Sequence, residues 1–74
     1  MRHSEFERIR AVLREADPDE PLTAREILEV LEEHGESFES PHRVATVLGQ
    51  YADSGAVEII PDRPYRYRFD DRGR

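Results

Sequence analysis

Ser40-Pro41-His42-Arg43-Val44-Ala45-Thr46-Val47-Leu48-Gly49-Gln50-Tyr51-Ala52-Asp53-Ser54-Gly55-Ala56-Val57-Glu58-Ile59-Ile60, continued by Pro61-Asp62-Arg63-Pro64-Tyr65-Arg66-Tyr67-Arg68-Phe69, is the stretch that decides the fold. Ser40 is a favoured N-cap, and Pro41 stands at the first helical position, where a missing N–H breaks no intrahelical bond. Val44, Val47, Leu48 and Tyr51 recur at i, i+3, i+4 and i+7, the pattern of a helix with one buried face, and Gly55 closes it. Val57–Ile60 and Tyr65–Phe69 are rich in strand formers and flank the turn-forming Pro61-Asp62-Arg63-Pro64. The spacing therefore predicts a helix running directly into a two-stranded antiparallel hairpin. Along its second strand Tyr65, Tyr67 and Phe69 alternate with Arg66 and Arg68, which puts the aromatics on one face and the arginines on the other.

Two further helices precede this unit. Ser4-Glu5-Phe6-Glu7 has the form of a capping box, with Phe6, Ile9, Val12, Leu13 and Ala16 at helical spacing behind it. Asp17-Pro18-Asp19-Glu20-Pro21 ends that helix, because proline disfavours helical geometry in the residue before it. Thr23-Ala24-Arg25-Glu26 is a second capping box, with Leu22 and Ile27 at the two positions of a hydrophobic staple. Ala24, Ile27, Leu28 and Leu31 form the inner stripe of the second helix, with Val30 at its margin. Gly35 is placed to terminate that helix in the left-handed conformation. Phe38, the lone large apolar residue of the connection that follows, is expected to plug the angle between the second and third helices. The resulting architecture is α+β: one domain over residues 4–69, three helices followed by the hairpin, and a mobile polar tail at 70–74.

The chain has 74 residues, so its core supplies only about 3–5 kcal/mol of net stability. It has no cysteine, which removes disulfides and thiolate metal sites and points to a reducing, cytoplasmic compartment. No apolar run approaches the roughly 18 residues a membrane span needs, and the first residues lack the apolar core of a signal peptide. Acids outnumber bases 17 to 11, and every base is arginine. A lysine-free, carboxylate-rich composition of this kind resembles that of haloarchaeal proteins. The formal charge of −6 runs against the basic footprint usual in nucleic-acid-binding domains. Its distribution does not: residues 1–39 hold 12 acids and 5 arginines, while residues 40–74 hold 5 acids and 6 arginines.

The order of three helices and a hairpin, with Leu22-Thr23-Ala24-Arg25-Glu26-Ile27-Leu28 opening the second helix and Gly55-Ala56-Val57-Glu58-Ile59-Ile60 leaving the third, resembles the winged helix-turn-helix family over residues 4–69. The six-residue connection between the second and third helices departs from the tight turn of the oldest helix-turn-helix proteins. The resemblance implies a small transcriptional regulator that binds double-stranded DNA sequence-specifically, with the third helix in the major groove and the hairpin, the wing, on flanking phosphates. A 100° step per residue turns His42, Thr46, Gly49 and Asp53 outward, with Arg43 and Gln50 beside them. The side-chain chemistry then nominates Arg43 for guanine, Gln50 for adenine and Thr46 for a polar edge or a thymine methyl. Ser40 and His42 at the helix start, with Arg63, Arg66 and Arg68 in the hairpin, are nominated for phosphate. Pairing with Glu58 and Asp62 accounts for one of the three hairpin arginines but not for all of them. Tyr65, Tyr67 and Phe69 read as the inward face of the hairpin rather than a platform for bases.

An alternative from a different class is a winged helix used for protein association, meeting a partner in a transcription or RNA-processing assembly through the acidic face of the second helix and the edge of the hairpin. With no added pairing helix beyond the first, the expectation is a monomer, or a weak homodimer through helix 1 or the hairpin edge. His3, His34 and His42 lack the i, i+4 spacing of a helical metal pair, no glycine loop cradles a phosphate, and the carboxylates are dispersed, so neither an enzyme, a metal site nor a cofactor is expected.

Overall fold

The computed structural model describes residues 4–69. Its elements run α1 (Glu5–Ala16), β1 (Leu22–Thr23), α2 (Ala24–Glu33), α3 (Pro41–Ala52), β2 (Val57–Ile60) and β3 (Arg66–Phe69), giving three helices and a three-stranded antiparallel sheet of order β1-β3-β2. The polar tail expected at 70–74 lies outside the described residues.

Local chemistry explains most helix boundaries. Ser4 caps α1 by accepting a hydrogen bond from the Glu7 N–H at 3.1 Å, but only this half of the predicted box forms, and the Glu7 carboxylate lies 3.9 Å from Arg10 instead. The helix ends with Asp17 in the left-handed region at φ 48°, its N–H donating to the Leu13 carbonyl at 2.8 Å. Aspartate is among the few residues with a side chain that tolerate this geometry. At α2 the capping box is complete: the Glu26 N–H donates to Thr23 Oγ1 at 3.1 Å, and the Thr23 N–H donates to Glu26 Oε1 at 2.9 Å. Its far end is a Schellman motif, in which the Gly35 N–H reaches the Glu32 carbonyl and the Glu36 N–H reaches that of Leu31, with Gly35 at φ 85°.

The core lies where the three helices meet one face of the sheet. Ile9, Ile27, Leu31, Val44 and Leu48 are fully buried, with Phe6, Val12, Leu13, Val47, Val57 and Tyr67 around them. Phe6 joins α1 to both later elements, stacking on Tyr51 of α3 at 3.9 Å between ring centroids and on Phe69 of β3 at 5.7 Å. Phe38 is buried as expected, and the Arg8 guanidinium lies over its ring at 5.3 Å while also sitting 3.7 Å from Glu36. That contact fastens α1 to the connection between α2 and α3.

Two predictions about the sheet need correction. The hairpin is not alone: Leu22 pairs with Tyr67 and Thr23 with Arg66, so β1 completes a sheet that the sequence pattern gave as two strands. The N-cap conformation of Thr23 is already extended (φ −73°, ψ 165°), which leaves its backbone free to join the sheet while its side chain caps α2. Two residues are too few to show strand periodicity. The second correction concerns Tyr65, which was expected to face inward with Tyr67 and Phe69. The connection between the strands extends through it, β3 begins at Arg66, and Tyr65 is 56% exposed.

Candidate nucleic-acid interface

The amphipathic pattern of α3 fixes which side chains reach solvent. With Val44, Val47 and Leu48 held in the core, His42, Arg43, Thr46, Gly49, Gln50 and the capping residue Asp53 are all exposed. Gln50 has both amide functions free of partners among the described residues. Thr46 Oγ1 donates back to the His42 carbonyl at 2.9 Å, so its methyl group and remaining lone pairs are what it can offer outward. Ser40 is half-buried, and its Oγ accepts from the Arg43 N–H at 3.3 Å, which leaves its hydroxyl proton to donate to an anionic ligand.

Arg43 is engaged across the molecule. Its Nε donates to Glu5 Oε2 at 3.2 Å and its Nη2 donates to Glu5 Oε1, a two-point ion pair between α3 and the first residue of α1. Hydrogen bonding to Glu5, then the charge of Glu5 and more weakly that of Glu39, raises the Arg43 pKa above its ordinary value, so it is cationic at every working pH.

The three hairpin arginines have different surroundings. Arg66 is an internal brace, with its guanidinium 3.6 Å from Glu26, 3.5 Å from Asp62 and 3.3 Å from the Pro21 carbonyl that accepts from it. Its Glu26 partner has a pKa held below the usual carboxylate value, chiefly by the hydrogen bond from the Thr23 backbone and in smaller part by Arg66 itself. Arg68 stands opposite Glu58 in the sheet register, yet it has no ion-pair partner among the described residues. It lines a groove of about 460 Å³ beside Leu13, Asp17, Asp19 and Leu22, away from the start of α3. Arg63, in the turn, is exposed and likewise has no ion-pair partner among the described residues. The structure thus separates residues that the strand pattern grouped together.

A second groove, of about 450 Å³, lies between the first turns of α2 and α3 and the hairpin turn. Ala24, Pro41, Ala45 and Pro64 give it apolar walls, Tyr67 lies deeper, and Arg25, His42 and Tyr65 border it. Both helices present their N-terminal ends here, the positive ends of their dipoles. Burial, and more weakly the proximity of Tyr65, raises the pKa of Tyr67, which keeps that phenol neutral. The sequence places Arg25 only within the capping box that opens the second helix. The available signal was its place two residues after the Thr23 cap, which fixes it in the first turn, but not what lies beside that turn. Among the described residues no three His, Asp or Glu side chains gather as a metal-holding group, and no helix is long and apolar enough to cross a membrane.

These features belong to a small α+β domain whose third helix offers a polar face to solvent next to a hairpin turn whose Arg63 has no ion-pair partner among the described residues. Comparison with protein-family models, with curated proteins and with solved structures finds no match for the chain.

Proposed function

We propose that this is a winged helix-turn-helix domain that binds double-stranded DNA sequence-specifically, as a small transcriptional regulator. In this reading α3 enters the major groove, and the hairpin, as the wing, lies over the adjoining backbone. The observation that carries it is the exposure of His42, Arg43, Thr46, Gly49 and Gln50 on one helix face, with Arg25 and Arg63 on the neighbouring turns. Arg43, Gln50 and Thr46 then read base edges, and Arg25, His42 and Arg63 position the domain on phosphates. Arg66 is left as a brace of the hairpin, and Arg68 as a more distant phosphate contact. The ion pair between Arg43 and Glu5 is compatible with this, since Glu5 takes only one edge of the guanidinium and the side chain stays exposed.

The test is selection of bound fragments from random duplex DNA, followed by fluorescence anisotropy with Arg25→Ala and Arg63→Ala. Each substitution should weaken binding to all duplexes alike and lower the slope of log K against log salt by about one. A domain that selects no sequence, or whose affinity is unchanged in both variants, would refute the proposal.

One observation favours the second reading, in which the domain docks on a protein. Tyr65 is an exposed large hydrophobic side chain beside an apolar-walled groove, and Glu29, Glu32 and Glu33 leave the outer face of α2 acidic. Absence of duplex binding at low salt, with Tyr65→Ala abolishing association with a protein partner, would select it.

A further inference from the structure

The contact between Glu5 and Arg43 does more than neutralise a charge. A guanidinium carries five N–H donors and can present two edges, one through Nε and one Nη, the other through both Nη atoms. Glu5 takes the first edge, since Nε donates to Oε2 at 3.2 Å and Nη2 donates to Oε1. Nη1 and the second proton of Nη2 have no partner among the described residues, on a side chain still 45% exposed. The free edge matches the paired acceptors O6 and N7 of guanine. It is a poor match for the diffuse negative charge of a phosphate, because the adjacent carboxylate already offsets the charge on the arginine.

Resting on the DNA-binding reading, we infer that Glu5 is a positioning residue that determines specificity: it turns Arg43 from a general phosphate contact into a reader of guanine. Holding one edge removes rotamer freedom before the duplex arrives, so less ordering remains to be done on binding. The negative carboxylate also makes any site without an acceptor pair at that position less favourable, because the phosphates that would otherwise attract Arg43 are repelled by Glu5. Discrimination therefore comes from a residue on α1 that need not touch a base. It gives an acidic domain a way to keep selectivity with few free cations on its reading helix.

The experiment compares wild type, Glu5→Gln, Glu5→Asp, Arg43→Ala and the double variant Glu5→Gln/Arg43→Ala. Each is titrated with the selected duplex, with that duplex carrying a substitution at each guanine in turn, and with a random duplex. Glu5→Gln should tighten the random duplex several-fold and lower the ratio of selected to random affinity by about tenfold, the loss falling at one guanine. Glu5→Asp keeps the charge but not the reach, so it should lose discrimination at that guanine with random affinity unchanged. In the Arg43→Ala background, Glu5→Gln should leave the ratio where Arg43→Ala already put it. Equal tightening of all duplexes by Glu5→Gln, or an unchanged ratio in both single variants at Glu5, overturns the inference while leaving DNA binding intact. A wild-type domain that binds no duplex overturns the reading on which the inference rests.

Discussion

Gly49→Ala separates what stabilises α3 from what the helix face does. Gly49 lies within the helical run of α3, is exposed, and a Cβ built there meets no atom within 4 Å. Alanine at a solvated helix-interior position is favoured over glycine by about 0.8–1.0 kcal/mol, because glycine loses more backbone freedom on folding. Nothing in the fold opposes that gain. For a domain of this size it corresponds to a rise in Tm of about 4–8 °C. The added methyl projects from the face proposed to lie against base edges, where a close-packed contact has no room for it. Overpacking of a fitted contact costs about 1–3 kcal/mol, so affinity for the selected duplex should fall by a factor of about 5 to 150. Circular dichroism melts and anisotropy titrations on the same samples read both effects. An unchanged or lowered Tm would refute the placement of Gly49 on a solvated helix. A raised Tm with unchanged affinity would refute the close approach of α3 to DNA.

Leu48 is fully buried, and Leu48→Ala should cost about 2–5 kcal/mol against a total of about 3–5 kcal/mol, so the variant should be largely unfolded in dilute buffer; a cooperative melt within a few degrees of wild type would contradict the core described above. The lowered pKa of Glu26 means that the unfolded chain takes up a proton there first, so its contribution to stability is complete above its ordinary value of 4.5 and is lost as pH falls through the lower folded-state value. Tm should therefore hold steady down to about pH 5 and then decline, with a shallower decline in Glu26→Gln; an identical decline in the variant would assign the acid sensitivity to other carboxylates. With a formal charge of −6 on so small a body, added potassium chloride should raise Tm as it screens self-repulsion, down to a Debye length of about 3 Å at 1 M; a midpoint that falls with salt would reverse that account.

The parts of the fold that follow from neighbouring residues were legible in the sequence. Thr23 and Glu26 stand three residues apart and form the complete capping box that their spacing predicts. Gly35 and Gly55 occupy the left-handed conformations at φ 85° and 86° that end α2 and follow α3. The stripe of Val44, Val47 and Leu48 is buried, and that alone turns Arg43, Thr46 and Gln50 toward solvent. Arg66, Arg68 and Tyr65 were harder, because strand alternation assigns a side chain to a face but not to a neighbour. Arg66 turns to Glu26 on α2, Arg68 lines a groove beside α1, and Tyr65 falls in the turn where alternation no longer applies.

Capping chemistry and apolar periodicity act over a few residues, and they suffice to specify three helices, a hairpin and the outward face of α3. Tertiary packing is what brings Leu22 and Thr23 into the sheet, sets Arg25 of the first turn of α2 beside the start of α3, and lets Glu5 grip one edge of Arg43. These contacts join segments far apart in the chain, and their partners are fixed by how packed elements lie against one another, a quantity that no local pattern encodes.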